Sequence, residues 1–360
     1  MDNVRHKISD RYGFPGESIM VSATHSHAGP AVANIGDAKR DDAYLEFLEE
    51  KIVEVFGQAF AGMQEAEVGF GRCVEKRMTS NRRVVMRDGT TKCQQSFANP
   101  DTLYVEGPTD PELVVLAARD ASGDVMGTLV NYASHPTHYG PTEYISAGYP
   151  GVLAAELKSR GCPVTLFLQG ACGNQGPYDP YNGPDGKGME EIGRTLTEDV
   201  DQVLSQIEYR KGVALDSRMR SLQLPFRSVS EEEARGDIRG AQRFIDPTIY
   251  DRTIPGVLER FKRMGSQPAE VQALSIDEYS FVAIPAEYFV QPALRIKEEP
   301  YPRRAVVVGY ANGMIGYVPH AEAFKRGGYE TTFTDSSRMA PETGDLLADC
   351  AIGLVKSVEK

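Results

Sequence analysis

The order of patterns along the chain predicts an α+β (mixed α/β) fold: central twisted β-sheets flanked by helices, in a single large domain over residues 1–360. Three observations lead there. Helix-period and strand-period segments alternate along nearly the whole chain, as layered folds of sheet and helix require. No internal repeat, low-complexity tract or linker interrupts them. Hydrophobic residues make up 41% and charged residues 25% of the chain, which supplies a sizeable core and a wetted surface.

The elements follow in order. The first residues read as the end of a helix, closed by the loop Gly13-Phe14-Pro15-Gly16. Ser18-Ile19-Met20-Val21-Ser22-Ala23 reads as a strand, which Gly29-Pro30 breaks. A first strand that already carries functional residues raises the expectation that an N-terminal strand is missing. Across 41–63, Leu45, Leu48, Ile52, Val55, Phe56 and Phe60 recur near 3.6 residues, the period of an amphipathic helix. A short strand is expected at 66–71. The apolar runs 113–118 and 125–133 flank Asp120-Ala121-Ser122-Gly123-Asp124, the pattern of a hairpin. Segment 150–160 is a helix with proline in its first turn, 164–168 a buried strand, and 189–207 a second amphipathic helix. Segment 214–227 is strand-like, and 228–264 a charged, helical, exposed excursion around Glu231-Glu232-Glu233. Then come a paired hairpin at 272–284, a helix at 285–297, a strand at 305–310 and a closing helix at 341–357.

Bulk properties narrow the partners. A net charge of -12 argues against nucleic acid and anionic membrane surfaces, leaving a small-molecule substrate. No apolar run approaches the roughly 20 residues of a membrane span, so no integral membrane segment is expected. Met1-Asp2-Asn3-Val4-Arg5-His6 leads into a polar segment with no visible signal peptide. The five cysteines, Cys73, Cys93, Cys162, Cys172 and Cys350, are odd in number and lack CxxC spacing. Free thiols in a reducing, cytoplasmic compartment are the simplest expectation.

Two of only six histidines fall in Thr24-His25-Ser26-His27-Ala28-Gly29-Pro30. If the strand reaches residue 27, their side chains share one face. Further polar segments follow strands at 131–138 (with His135 and His138), 169–177 and 309–319, and Glu287 stands at a strand-to-helix junction. Neutral imidazole suits Zn²⁺, and a carboxylate or phenolate can complete its shell. A catalytic zinc keeps one position for water and lowers its pKa to roughly 7. Blander roles stay open. The histidines could be hydrogen-bonded structural residues, Glu287 a carboxylate favoured by a helix dipole, and Tyr317 a core tyrosine. Arg82 or Arg83 could form a surface ion pair, and the loop around Asn174 a plain turn or a set of backbone donors for an oxyanion. Cys172 reads as a buried thiol, because no base lies near it in sequence. His138 is expected to line a pocket or the surface, His6 and His320 the surface.

Several of these segments together resemble the neutral/alkaline non-lysosomal ceramidase family. Ala23-Thr24-His25-Ser26-His27-Ala28-Gly29-Pro30 resembles its S-A-T-H-T-H-S-G-P motif. Asn131-Tyr132-Ala133-Ser134-His135-Pro136-Thr137 is similar to its N-F/Y-A-x-H-P-T segment, and 169–177 to its Q-G-x-x-G-D/N-x-x-P loop. Asn81-Arg82-Arg83 resembles its N-R-S, and Thr109-Asp110-Pro111-Glu112-Leu113 and 309–330 follow in the same order. The resemblance covers nearly the whole chain. It implies a ceramidase-like catalytic domain with one Zn²⁺ on two His, a Glu and a Tyr, here His25, His135, Glu287 and Tyr317. Tyr317 is preferred to Tyr310 because it precedes Val318 at the position of the family's second tyrosine. His27 would lie beside the metal, contacting the scissile carbonyl or shuttling a proton. Arg82 would stabilise developing negative charge or hold a substrate carboxylate, and Asn174 with its loop would join it. The implied activity is zinc-dependent hydrolysis of a linear amide (N-acyl) bond.

Three departures stand against ceramide itself. Gly176 occupies the position of the family's catalytic-loop serine, Met314 that of the first tyrosine, and no C-terminal immunoglobulin-like domain follows. They favour two alternatives. One is a metal-dependent hydrolase or lyase for a polar soluble substrate such as a glycan or small amide. The other is a non-catalytic metal- or ligand-binding homologue.

Overall fold

A computed structural model describes residues 1–36, 38–140, 144–181, 186–244 and 246–358. The chain opens with helices α1 (Asp2–Tyr12) and α2 (Asp42–Ala61). Strands β1 (Glu67–Val74), β2 (Ser80–Asn81), β3 (Arg83–Met86), β4 (Thr91–Cys93), β5 (Thr102–Val105), β6 (Glu112–Arg119) and β7 (Val125–Tyr132) follow. Next are α3 (Gly148–Ser159), β8 (Thr165–Gln169), β9 (Gln175–Gly176) and α4 (Met189–Leu204). β10 (Tyr209–Arg210) and β11 (Leu215–Pro225) lead to α5 (Glu231–Arg235) and α6 (Pro247–Met264). The rest comprises β12 (Ser266–Ile276), β13 (Tyr279–Ala283), β14 (Glu287–Tyr288), α7 (Val290–Glu298), β15 (Arg304–Val308), β16 (Tyr317–Val318), α8 (Ala323–Arg326) and α9 (Thr343–Lys356).

Two sheets form the centre, in the orders β10-β1-β6-β7-β8 and β11-β12-β13-β15. They face each other through Val114, Phe281, Ala283, Val306 and Val308. Tyr149, Leu153 and Leu157 of α3 and Ile192, Leu196 and Val200 of α4 cover the first sheet's other face, on Leu113, Val115, Val130 and Tyr132. Ala293 and Ile296 of α7 and Leu347, Ala351 and Val355 of α9 cover the second, on Val271, Ala273, Val282 and Val307. The α+β class thus takes the form of helix, sheet, sheet and helix layers. Strand β6 shows why: Leu113 and Val115 face helices while Val114 faces the other sheet. A strand buried on both faces reads as an unbroken apolar run.

Most strand pairs are antiparallel, but β7/β8 and β13/β15 run parallel. A parallel pair needs a crossover, and α3 and α7 lie within these two. The segments that leave the C-terminal ends of these four strands meet at one place, where ligands commonly bind in sheets of this kind.

Three sequence expectations change. Residues 18–23 form no strand: Gly16–Ser18 is a 3-10 turn, and Ser22 makes one bridge to Ala311. The apolar side chains there serve packing instead, Ile19 and Val21 joining Val4, Ile8 and Val53. The helix expected at 285–297 starts at Val290, because Glu287–Tyr288 pairs with Tyr317–Val318. The excursion at 228–264 is not a solvated arm, since α6 buries Tyr250, Ile254, Val257 and Phe261 around Phe333. No helix among the described residues is long and apolar enough to cross a membrane.

Candidate metal centre

The segment carrying His25 and His27 is held by a turn at 310–312. Ala23 N donates to Tyr310 O at 3.1 Å, Asn312 N to Val21 O at 2.9 Å, and Val21 N to Asn312 Oδ1 at 3.1 Å. His25, Tyr310 and Asn312 sit at φ 63°, 53° and 61°. Residues with a Cβ rarely adopt such backbone, and it persists where the surroundings over-determine it, often at functional sites. The shared strand face expected for the two histidines is therefore not how they are presented.

Their rings converge all the same. His135, three residues beyond β7, is buried, with Nδ1 3.0 Å from Cys172 O. A carbonyl only accepts, so Nδ1 carries the proton and Nε2 presents a bare lone pair. The Nε2 atoms of His25, His27 and His135 lie 3.1, 3.2 and 3.2 Å apart in pairs. Glu287 Oε2 is 3.4 Å from His25 Nε2 and 4.0 Å from His135 Nε2. Glu287 and Tyr317 are register partners in the β14/β16 pair, so they stand side by side. The Tyr317 hydroxyl accepts from Arg82 Nη2 at 3.0 Å, and it helps to hold the Glu287 charge. Arg82 also donates from Nε to Glu330 Oε1 and from Nη2 to Gly173 O, both at 2.8 Å. Gly173 lets the Glu287 main chain lie close as well: a Cβ there would fall 2.4 Å from the Glu287 carbonyl oxygen.

Electrostatics sort the donors. Burial alone would raise the Glu287 pKa, but His25, Arg82 and the Tyr317 bond hold it below the ordinary carboxylate value. Burial pushes His135 well below the ordinary histidine value, helped by Arg82 and its two imidazole neighbours. His27 meets solvent at its outer edge, yet desolvation of its ring and the adjacent His25 lower its pKa too. Burial and Glu287 raise Tyr317 well above the ordinary phenol value. The set is thus neutral nitrogens with one anionic oxygen. Glu287 Oε2 is buried with no hydrogen-bond partner among the described residues, a costly arrangement unless a cation meets it. Three imidazole nitrogens and a carboxylate suit a divalent ion such as zinc, so the residues present fit one.

The fold therefore brings His25, His27, His135, Glu287, Tyr317 and Arg82 together. It does not separate His27 from His25, because both point Nε2 at the same place. Asn174 turns elsewhere: its Oδ1 accepts from Val290 N and its Nδ2 donates to Gln291 Oε1, both at 2.9 Å. Its side chain is thus spent on the start of α7. Glu287 is a strand residue rather than a helix-terminal one. Arg83 makes no surface pair but a buried one with Glu330 and Glu106. Cys172 is buried, and burial pushes its thiol up to about 12, in keeping with the buried-thiol reading. His138 Nε2 lies 2.9 Å from Lys187 O, and His320 is half-buried beside Phe289 rather than on the surface. Gly176 pairs with Ser80 in β2/β9, and a Cβ there would sit 3.0 Å from His135 Cβ.

Some residues near the site escaped the sequence. Tyr310 stacks on His25, Glu330 anchors Arg82, and Asn131 Nδ2 ties the two sheets through Leu168 O and Val307 O, at 3.0 Å each. Their order within polar, ceramidase-like segments was the one available signal. A half-open pocket of about 330 Å³ adjoins His135, lined also by Arg82, Gln94, Thr137, Gly176, Pro177, Tyr178 and Gly186. Its walls are polar and apolar in nearly equal measure.

No protein-family model matches the chain. In sequence it is 22% identical to the neutral ceramidase of Pseudomonas aeruginosa over 390 aligned residues, covering 88% of this chain and 57% of that protein. The chain thus spans little more than half the length of that relative. In structure it is similar to crystalline neutral ceramidase from Pseudomonas aeruginosa, with TM-score 0.73 and 21% identity over 99% of this chain and 64% of that one. A ceramidase complexed with C2 gives TM-score 0.72 and 19% identity, over 99% and 65% of the two chains. The resemblance seen in the motifs is borne out: the chain is ceramidase-like in sequence and shares that fold.

Proposed function

We propose that this chain is a metal-dependent hydrolase of a linear amide (N-acyl) bond, with zinc as its ion. The convergence of three imidazole nitrogens and a buried carboxylate oxygen without a hydrogen-bond partner among the described residues, beside a pocket, carries the reading. The ceramidase relatives support the bond type. His25, His135, Glu287 and Tyr317 would hold the ion. When bound, zinc supplies a Lewis acid and lowers the pKa of water to about 7.

The remaining work falls to the chain's own residues. His27, the most exposed of the three histidines, would take up the proton released on attack and return it to the leaving amine. Arg82 lines the pocket with a guanidinium locked by Glu330, Gly173 and Tyr317, ready to meet the negative charge that develops on the carbonyl oxygen.

The test is metal content and turnover in one preparation. Stoichiometric zinc, N-acyl hydrolysis lost to a chelator and restored by Zn²⁺, and an inactive His25→Ala variant are the expected results. Full activity in His25→Ala would overturn the reading. A second reading keeps the centre but changes the substrate to a polar soluble amide or glycan, cleaved by hydrolysis or elimination. The polar groups of Arg82, Gln94 and Thr137 in the pocket wall, and Gly176 beside them, favour it. A substrate panel in which only N-acyl sphingoid bases turn over would rule it out.

A further inference from the structure

We infer that Cys172 and Tyr310 form a brace that fixes His25 and His135 relative to each other, making both positioning residues of the metal centre. The inference rests on the proposal above that these two imidazoles hold the ion. The Tyr310 ring lies flat on the His25 imidazole, with centroids 4.0 Å apart and planes 14° from parallel. A ring stacked this way cannot turn without losing its face contact. The Tyr310 hydroxyl meets Cys172 Sγ at 3.2 Å, and the Cys172 carbonyl oxygen lies 3.0 Å from His135 Nδ1. One residue therefore reaches both histidines: His135 through its main chain, and His25 through its thiol and the phenol ring.

Both members are buried, and their polar atoms are committed to each other. Neither offers a nucleophile, since burial raises the pKa of the thiol and of the phenol alike. The left-handed backbone at both His25 and Tyr310 fits a contact set by the fold rather than by local preference. Groups that hold ligand imidazoles from behind set metal affinity without touching substrate.

The test uses the full chain freed of metal, as wild type, Cys172→Ala, Tyr310→Phe and Tyr310→Leu. Cobalt is titrated in as a coloured stand-in for zinc, and imidazole ¹⁵N–¹H spectra are recorded before it is added. Tyr310→Leu should weaken cobalt binding about tenfold to a hundredfold, and Tyr310→Phe, which keeps the ring, by less than about tenfold. Cys172→Ala should shift the imidazole signals of both His25 and His135 in the metal-free protein. Cobalt affinity in Tyr310→Leu within about twofold of wild type would overturn the brace. A Cys172→Ala spectrum that moves only His135 would do the same. If Tyr310→Leu does not fold, the two milder variants decide the matter through their imidazole signals. Wild-type protein that takes up no cobalt would sink the proposed function instead, while the metal-free spectra would still decide the brace.

Discussion

At the scale of single residues, Glu287 is the most exposed to test. Its Oε2 has no hydrogen-bond partner among the described residues, and its charge is kept by His25, Arg82 and Tyr317. Glu287→Gln keeps the volume but removes the anion, so zinc uptake should fall below stoichiometric in metal analysis. Arg82→Lys should lower kcat about a hundredfold in steady-state assays, because one ammonium cannot reproduce a planar fork bonded to Glu330, Gly173 and Tyr317. Gly176→Ala forces a methyl to 3.0 Å from His135 Cβ, and the expected outcome is weaker zinc binding in a competition titration, with the fold kept. At this scale much was legible. Histidines are scarce, and each of the three convergent ones stood in a motif of distinctive order. The bonds of the Asn174 amide to α7 were not legible, because motif position says which residue is present and not where its side chain points. Tyr310 and Glu330 gave only the signal of motif order, since their contacts exist only once distant loops meet.

At the scale of elements, the two-residue pair β14/β16 does most to build the site, for it sets Glu287 beside Tyr317. So short a pairing leaves no period in the sequence, and a helix was expected across it. The strand expected at 18–23 failed for the opposite reason: its β-prone residues are used for packing against α1 and α2 rather than for a ladder. By contrast β6, β7, α3 and α4 were legible, because long runs and clear amphipathic spacing decide them. Two predictions belong here. Asn174→Ala removes the bonds to Val290 N and Gln291 Oε1 at the start of α7, and should cost about 1–2 kcal/mol in urea unfolding. On α4, burial and the neighbouring Glu75 raise the Asp199 pKa from 3.8 to about 7, and its Oδ2 is buried without a partner among the described residues. The folded state therefore holds this proton more tightly than the unfolded chain. The resulting stability is present below about pH 4 and lost as pH rises through about 7. Glu75 is shifted the other way, so its own contribution is lost only at lower pH. Asp199→Asn should match wild type below about pH 4 and melt at higher temperature than wild type at pH 8, in calorimetry. Equal melting at both values would contradict this account.

At the scale of the whole molecule, layering explains both the fold and the place of the chemistry. Each central sheet is covered on both faces, which supplies the buried scaffold, and the parallel pairs β7/β8 and β13/β15 aim their following loops at one place. Asn131 ties the sheets together beneath it. The layers were legible as a class from alternating patterns, whereas the face-to-face arrangement was not, because sheet order depends on pairings between strands far apart in sequence. The central claim is that this meeting point holds one divalent ion. Zinc content per chain in metal-stripped and zinc-reconstituted protein tests it most directly, in wild type beside His135→Ala. The account predicts one tightly held zinc in wild type and none retained in the variant. Wild-type protein that retains no zinc, or a variant that retains as much as wild type, would contradict it.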